Sequence, residues 1–370
     1  MNIQKIFCPN PACKAKGRCN EGNITVHSHV EKRYICNACH QTFSTTRGTI
    51  FYRLKTDPKL VMLVITLLAY GCPLKAIVAA FGFDERTVRN WWQRAGRHCE
   101  QVHHHKVESC PLDLGQVQAD EIKGKIQGGS VWIAMAMMVS TRLWLGGVVN
   151  RKRDKHLIRD LANKVKDMAL CCPLLIAVDG FSSYVTEFRN AFRSPLPRHG
   201  QVGRPKLRSW SELHLVQVVK QRAKGTFSIS RRVVQGEETQ INTLIKTTQG
   251  GGGINTAYIE RLNATFRQRL GALTRRTRNL ARYPETLQSG MMVIGCIYNF
   301  CTWHQSLRIE FALNEHSRRW LKRTPAIAAG ITDHRWSIDE LFWFRVPPEP
   351  WVPPKRRGRP PKVKKPELMT

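Results

Sequence analysis

The sequence predicts an α/β protein made of several domains, and three observations support that prediction. Two pairs of closely spaced cysteines lie near the start of the chain, a stretch of helical composition follows, and from residue 114 onward apolar strand-like runs alternate with an amphipathic helix. The chain has 370 residues, enough for two or three domains, and its apolar fraction of 42% is enough for a core. We therefore expect a cysteine-rich module, a helical module, a mixed sheet and a basic tail, in that order.

The charge of the chain is strongly positive. Lysine and arginine together number 59 against 27 aspartates and glutamates, which gives a formal net charge of +32. Such an excess attracts polyanions such as nucleic acid and makes their binding sensitive to salt. An anionic membrane surface is the competing partner, but the basic residues occur in every segment rather than along one amphipathic helix. We therefore predict a nucleic-acid partner and no membrane association.

The N-terminus and two apolar runs are the segments of the chain that could carry a targeting or membrane signal. The start, MNIQKIFCPN, lacks the apolar core of a secretory signal. The run at 60–72 is too short to span a bilayer, and the run at 131–149 is interrupted by polar residues, so it is predicted to form two strands joined by a turn. The twelve cysteines fit a reducing compartment better than a disulfide framework, and we expect a cytoplasmic protein.

Residues 1–50 contain two cysteine pairs with the spacing of metal ligands. Cys8 and Cys13 are separated by four residues, and Cys36 and Cys39 by two. Zinc prefers four soft ligands in a tetrahedron, so the pattern predicts a zinc ribbon. Its Zn²⁺ is expected to be structural, because four protein ligands leave no open position. The alternative ligands for one position are Cys19, His27, His29 and His40. For the three histidines, ordinary surface placement is the simpler interpretation.

Residues 55–105 have the pattern of a helix-turn-helix domain. A first helix is followed by a glycine-containing turn, a second helix ends at Gly82, and Asp84 caps a third. In that arrangement the last helix enters the major groove of DNA with its N-terminal residues. The candidate DNA contacts are then Arg86, Arg89 and Asn90. The alternative is a plain three-helix core in which Val88 and Trp91 pack inward and the arginines are solvated.

The next segment predicts a sheet. The run GQVQADEIKGK is one strand, SVWIAMAMMVS and RLWLGGVVN form a hairpin, HLIRDLANKVKDMAL is an amphipathic helix, and LLIAVD is a buried strand. Three strands, a helix and a fourth strand match the order of a ribonuclease-H-like sheet, in which the first and fourth strands are neighbours at the centre. Asp120 lies in the first of these strands and Asp179 ends the fourth, so the two should lie side by side.

A third acid, Glu260, lies on a later predicted helix, YIERLNATFRQRL. It flanks the apolar stripe of that helix and can face the sheet edge while the stripe packs. Asn263 and Arg267 follow on the same side and could contact the metal site or the scissile phosphate. No acid interrupts 261–282, which suits a phosphate track. The other arginines of this track are Arg261, Arg269, Arg275, Arg276, Arg278 and Arg282.

Two carboxylates at strand ends and one on a helix can hold a pair of divalent cations. Each acid also has a simpler interpretation. Glu121 is adjacent to Asp120 and could be the ligand instead, because alternation along a strand places only one of them inward. Asp179 could be a turn residue, and Glu260 could pair with a nearby arginine. Taken jointly with the strand order, the acids favour a metal site.

The chain resembles bacterial DDE transposases, and most closely the insertion-sequence-one family, in which a zinc-binding part is fused to the catalytic part. The motifs that carry the resemblance are the cysteine pairs, the helix-turn-helix pattern, ADEIKGK, AVDGFSSY and YIERLNATFRQRLGALTRRTRN. The later segments YNFCTWHQSLR and RTPAIAAGITDHRWSIDELF are similar to the ends of such proteins. The resemblance covers about residues 5–345.

The resemblance implies a catalytic triad of Asp120, Asp179 and Glu260 with two Mg²⁺ or Mn²⁺ ions. The enzyme would bind double-stranded DNA at the ends of a mobile element, cleave it, and join the 3′ ends to target DNA. It would act as a homodimer or larger assembly in the bacterial nucleoid. Two alternatives remain open: a DNA-binding regulator on an inactive transposase scaffold, and a metal-dependent nuclease that does not join ends.

One feature departs from the pattern of this family. A longer interval separates Asp179 from Glu260 than is common in such enzymes, so the predicted catalytic domain, 112–345, should contain an insertion at about 190–253. This leaves Glu237 and Glu238 as weaker candidates for the third acid.

The final segment, 346–370, resembles an AT-hook, because the prolines hold an Arg-Gly-Arg core extended for the minor groove. Its two candidate DNA contacts are Arg357 and Arg359, and the alternative is a solvated basic tail.

Overall fold

The computed structural model describes residues 3–170, 173–197, 202–223, 226–277, 279–314, 317–349 and 351–353. The chain forms two compact units, Met1–Gly48 with Arg345–Thr370, and Thr49–Phe344. Among the described residues, no helix combines the length and the apolar character that crossing a bilayer requires.

The first unit contains a small antiparallel sheet. Its strands, in spatial order, are β1 (Ile24–Ser28), β2 (Arg33–Cys36) and β3 (Thr42–Ser44). Apolar side chains of this sheet and of the segment before it, among them Ile6, Ile24 and Tyr34, pack around the cysteines. The strand-like alternation between the cysteine pairs therefore forms strands, as expected.

The second unit begins with three helices, α1 (Pro58–Ala69), α2 (Leu74–Phe81) and α3 (Glu85–His103). The side chain of Asp84 accepts hydrogen bonds from the first backbone amides of α3, as the sequence predicts for an N-cap. Gly82 ends α2 with a φ of 68°, a left-handed conformation that glycine adopts without steric cost. Val88 and Trp91 on α3 are buried, so one face of the helix packs into the core.

The rest of this unit contains both strands and helices. In chain order they are β4 (Gln116–Ile126), β5 (Gly129–Met138), β6 (Trp144–Asn150), α4 (Lys155–Met168), β7 (Leu174–Asp179), α5 (Ser182–Ala191), β8 (Arg193–Pro195), β9 (Leu207–Ser209), β10 (Leu213–Ala223), β11 (Thr226–Gln235), α6 (Glu238–Gln249), α7 (Ala257–Arg269), α8 (Pro284–Cys296), β12 (Ile309–Asn314), β13 (Ser317–Leu321), α9 (Pro325–Ala328) and α10 (Ile338–Trp343).

Six strands form the main sheet, in the order β11-β10-β7-β4-β5-β6. β7 runs parallel to both β4 and β10, and the other neighbours are antiparallel. The predicted adjacency of the first and fourth strands is confirmed, because Ala119 of β4 lies opposite Val178 of β7. The predicted hairpin at 131–149 is also confirmed, as β5 and β6.

Residues 190–253, expected to be an insertion, supply two strands of this sheet. β10 pairs with β7, and β11 continues the sheet beyond it. The segments that form β10 and β11 are both strand-like in the sequence. They join the main sheet because β10 pairs with β7, which is distant along the chain. Glu238 begins α6, so the segment containing Glu237 and Glu238 is a helix N-terminus, as its sequence suggests.

Helices cover both faces of the main sheet. α4 packs on β5 and β6 and contacts α5, whereas α6 and α7 pack on β4 from the other side. α8 packs on β6 and closely against α3. At that crossing a Cβ added to Gly96 would lie 2.4 Å from the Cβ of Ser289, so only glycine fits the approach of the two helices. The helices thus pack around the part of the sheet where β7 ends beside β4, which itself continues to Ile126.

Candidate functional site

The candidate site lies where the central parallel strands β4 and β7 bring their acids together. Because Ala119 lies opposite Val178, the residues that follow, Asp120 and Asp179, are neighbours. One carboxylate oxygen from each of Asp120, Glu121 and Asp179 lies within 4.8 Å of the other two. The expectation that the two aspartates lie side by side is therefore confirmed, and Glu121 joins them.

Asp120 is largely buried on the face of β4 that α7 covers. Its Oδ2 accepts a hydrogen bond from Nδ2 of Asn263 on α7 at 2.8 Å. Burial, followed by repulsion from Glu121 and Asp179, raises the pKa of Asp120 to about 7. The excess of negative charge around this carboxylate is what a bound cation would neutralise.

Asp179 at the end of β7 is half-buried and has two partners. Its Oδ1 accepts a hydrogen bond from the backbone amide of Phe181 at 3.0 Å, and its Oδ2 lies 3.4 Å from Nη2 of Arg153. The residue therefore shapes the turn into α5 and also faces the acidic group. The turn interpretation and the metal interpretation are both compatible with this geometry.

Glu121 points to the opposite face of β4 from Asp120, as alternation along the strand requires. Its side chain is bound by Arg153, which follows β6, and by the hydroxyl of Tyr184 on α5 at 2.8 Å. Burial and the charge of Asp179 raise the pKa of Glu121, and the bonds from Tyr184 and Arg153 offset part of that rise.

Glu260, in the first turn of α7, stands apart from the group of three carboxylates but lines the same cleft. It forms an ion pair with Lys220 of β10 and accepts a hydrogen bond from Thr256 at 2.7 Å. Partial burial acts to raise the pKa of Glu260, but these two bonds outweigh it and the pKa lies below its usual range. The sequence suggested an arginine close along the chain as the alternative partner, whereas the structure places a lysine from another strand there.

The cleft has a volume of about 790 Å³ and is lined by both acids and bases. Asp120, Asp179 and Glu260 contribute the acidic side chains. The amide and the basic side chains around them are those of Asn263, Arg153, Lys220, Arg267 and Arg275. Of the predicted phosphate contacts, Asn263, Arg267 and Arg275 therefore lie at the cleft. Arg276 is exposed and is not among the lining residues.

Sequence reasoning missed Gln118, which attaches α7 to β4. Its Oε1 accepts hydrogen bonds from the backbone amides of Tyr258 and Ile259, both at 3.0 Å, and its Nε2 donates to the backbone oxygen of Asn255 at 2.8 Å. Gln118 is fully buried. The available signal was a polar residue in an apolar strand, two positions before Asp120 and so on the same face.

Arg153 and Lys220 were also missed. Each is held by an acid of the site, Arg153 by Glu121 and Lys220 by Glu260. Both basic residues come from segments that the sequence pattern does not connect to the acids, so no local signal distinguishes them from the many other basic residues.

The predicted helix-turn-helix contacts lie on the surface of α3. Arg86, Arg89 and Asn90 are exposed at its N-terminal end, and Arg89 forms an ion pair with Glu85. This placement fits both a recognition helix and a solvated helix face.

The four predicted zinc ligands are gathered at one point. The Sγ atoms of Cys8 and Cys39 are 3.6 Å apart and those of Cys13 and Cys36 are 3.8 Å apart. Tetrahedral zinc with bonds of about 2.3 Å needs sulfur atoms about 3.8 Å apart, so the cysteines fit the ion. Cys19, His27, His29 and His40 are exposed and lie outside this group, which confirms the simpler interpretation of the three histidines. Arg357 and Arg359 of the predicted AT-hook lie outside the described residues.

Comparisons with known proteins give distant similarity to solved structures. No family model matches the chain, and no curated protein matches it. Among solved structures, the chain is similar to a piggyBac transposase in a cryo-EM structure of its synaptic complex with hairpin DNA. The two share 12% identity with a TM-score of 0.33, over 70% of this chain and 66% of the other, slightly under two thirds. Membership of the insertion-sequence-one family remains a prediction.

Proposed function

We propose that the chain is a DDE transposase that binds double-stranded DNA at element ends, cleaves it, and joins the 3′ ends to target DNA. The observation that carries the proposal is the pair Asp120 and Asp179 on adjacent central strands, in a cleft that Glu260 and several basic side chains also line. Acids that can hold cations, next to bases that can hold phosphates, suit phosphodiester chemistry.

The acids fit divalent metal. Their hard carboxylate oxygens are the ligands that Mg²⁺ and Mn²⁺ prefer, and the crowded negative charge that raises the pKa of Asp120 favours a bound cation. We assign two ions to Asp120, Asp179 and Glu260. When bound, such ions supply Lewis acidity at the phosphodiester and help form a nucleophile from water or a 3′-hydroxyl.

The protein's own side chains orient these groups and the substrate. Asn263 donates to Asp120 and so fixes the orientation of that carboxylate. Arg267 and Arg275 line the cleft and can contact the DNA backbone, as predicted for the arginine-rich track. Glu260 would have to release Lys220 to bind a cation, which would free the lysine for phosphate.

The strand order supports a ribonuclease-H-like catalytic domain. β4, β5, β6 and β7 follow the predicted order, with the two aspartates on the central pair. We propose the domains 1–50, a zinc ribbon; 55–105, a helix-turn-helix; 112–345, the catalytic domain; and 346–370, an AT-hook-like tail. We also propose that the protein works as a homodimer or larger assembly, because two element ends must be brought together, and that it acts in the bacterial nucleoid.

One observation favours a second candidate function. Glu260 is paired with Lys220 and stands outside the group of three carboxylates. A scaffold in which this acid no longer binds metal would act as a DNA-binding regulator. A nuclease that cuts without joining would need all three acids, and only a joining assay distinguishes it from a transposase.

Substitution of Asp120 tests the proposed catalysis. Asp120→Asn should abolish Mn²⁺-dependent cleavage of DNA carrying the inverted repeats that flank the gene, and joining of pre-cleaved ends, because the amide cannot replace a charged ligand. Binding of the same DNA should change little. Asp113→Asn, at an exposed aspartate close along the chain, is the matched control and should behave as wild type. Cleavage by the Asp120 variant at the wild-type rate would show that the site is assigned incorrectly.

A further inference from the structure

Glu121 differs from the other two acids of the group because its side chain is almost fully buried and both of its oxygens are bound by side chains. Oε1 accepts a hydrogen bond from Nε of Arg153 at 2.5 Å, and Oε2 accepts one from the hydroxyl of Tyr184 at 2.8 Å. Its side chain is only 3% exposed. Tyr184 is itself fully buried, so this end of the network is fixed in the core.

Arg153 is fixed in turn by its contacts with Glu121 and with two aromatic rings. Its guanidinium lies 4.2 Å from the centre of the Phe181 ring and 5.2 Å from that of Trp132. Nη2 is 3.4 Å from Oδ2 of Asp179, and the side chain remains 34% exposed at the cleft wall. A guanidinium has five donors in a rigid plane and stacks readily on rings. Arg153 is therefore a preoriented cation that lines the cleft, and its Nη1 makes none of the described hydrogen bonds.

We propose that Glu121 is not a metal ligand but the residue that positions Arg153, and that Arg153 binds a backbone phosphate of DNA in the cleft. The proposal rests on the function proposed above, since it requires DNA in this cleft. Guanidinium and phosphate form charge-assisted, often bidentate hydrogen bonds. The position beside Asp179 would hold that phosphate next to the acids assigned to the metal.

A second arginine in the same unit provides a matched control. Nε of Arg159 on α4 lies 2.9 Å from Oε2 of Glu187 on α5, and the Glu187 side chain is also 3% exposed. The pair therefore repeats the arrangement of an arginine held by a buried glutamate. Arg159 is not among the residues that line the cleft. Loss of Arg159 should affect stability as loss of Arg153 does, without affecting DNA in the cleft.

The first experiment separates metal ligands from the positioning residue. Binding of Mn²⁺ alone to the full chain is measured by calorimetry for wild type, Asp120→Asn and Glu121→Gln. Loss of a ligand should weaken Mn²⁺ binding by about tenfold or more in the Asp120 variant. Glu121→Gln should keep most of the affinity. If it loses Mn²⁺ binding as completely as Asp120→Asn, Glu121 is a ligand and the proposal is wrong.

The second experiment measures phosphate binding by Arg153. Affinity for a short labelled duplex of mixed sequence is measured with Ca²⁺ in place of Mg²⁺, between about 50 and 200 mM salt. Arg153→Gln should weaken binding about tenfold and lower the slope of log affinity against log salt by about 0.9, since one phosphate contact is lost. Arg159→Gln should leave the slope unchanged, and Arg153→Lys should restore the slope but only part of the affinity.

Removal of Arg153 alone leaves Glu121 buried and unpaired, which can unfold the protein. The double variant Glu121→Gln with Arg153→Gln removes both charges and should show the same loss of salt slope. Suppose that the wild type binds both Mn²⁺ and the duplex, but the Arg153 variants have the same salt slope as Arg159→Gln. Arg153 then does not bind phosphate, and only this inference is overturned. If wild type binds neither, the proposed function is overturned as well.

Discussion

Gln118 connects the strand that carries Asp120 to the helix that carries Glu260. Thr256, the residue before α7, makes no capping hydrogen bond with its side chain, and Gln118 accepts from the first amides of the helix in its place. A buried amide of this kind is stabilising only while its partners are kept. The distance between Asp120 and Glu260 therefore depends on Gln118, a neutral side chain that makes no described hydrogen bond to either acid.

Gln118→Leu tests this connection. The variant leaves the amides of Tyr258 and Ile259 without their acceptor, so we expect the free energy of unfolding to fall by about 2 kcal/mol and metal-dependent cleavage to fall with it. Urea denaturation and a cleavage assay measure the two effects. Gln268→Leu, at an exposed position of the same helix, is the control and should match wild type. Equal stability of the two variants would show that the connection is unimportant.

At the scale of elements, the small sheet β1–β3 is too short to be stable by its strands alone. Its longest strand has five residues, and its core includes the four cysteines themselves. Small domains of this kind usually depend on a metal or on disulfides, and the described cysteines form no disulfide. The free energy of zinc binding is therefore expected to be the folding free energy of this module.

Cys36→Ser should remove bound zinc and unfold the module, because serine does not replace a thiolate ligand. Emission spectroscopy measures the zinc content, and limited proteolysis measures the folding of the module. Cys19→Ser changes an exposed cysteine outside the ligand group and should keep both. Full zinc content in the Cys36 variant would exclude the ribbon as assigned.

At the scale of the whole molecule, charge governs both partner choice and acid stability. The net charge of +32 favours a polyanionic partner and adds self-repulsion in the folded state. His103, at the end of α3, is buried against Trp144, and its Nε2 lies 3.2 Å from the backbone oxygen of Leu145. Protonation of this ring would place a further positive charge in the core.

The stability of the unit Thr49–Phe344 should fall between neutral and mildly acid pH. Burial lowers the pKa of His103 from 6.5 to about 4, and the nearby Glu108 offsets only part of that shift. Between these pH values the unfolded chain takes up a proton that the folded chain does not, so the stabilisation is complete above pH 6.5 and decreases as the pH falls. We expect a loss of about 2 kcal/mol at pH 5.

Urea unfolding at neutral pH and at about pH 5 measures this loss. His103→Gln should show a smaller loss than wild type, because glutamine does not titrate, and His27→Gln, at an exposed histidine, should show the wild-type loss. Identical pH dependence of wild type and the His103 variant would contradict the assignment.

The features of this protein that depend on local pattern can be read from its amino-acid sequence. Spacing identified the four cysteines that lie together and fit zinc, alternation and apolar runs identified the strands, and capping residues identified the starts of helices such as α3. The strand order then placed Asp120 beside Asp179, because β7 ends with Asp179 next to the position in β4 that Asp120 occupies.

The side chains that complete the site are brought there by long-range packing. The pairing of Lys220 with Glu260, of Arg153 with Glu121, and of Gln118 with α7 joins residues that are distant along the chain. A chain with this many basic residues gives no local signal for the few that face the acids. Their roles follow from the packing of β10 on β7 and of α7 on β4, which the periodicity of each segment does not specify.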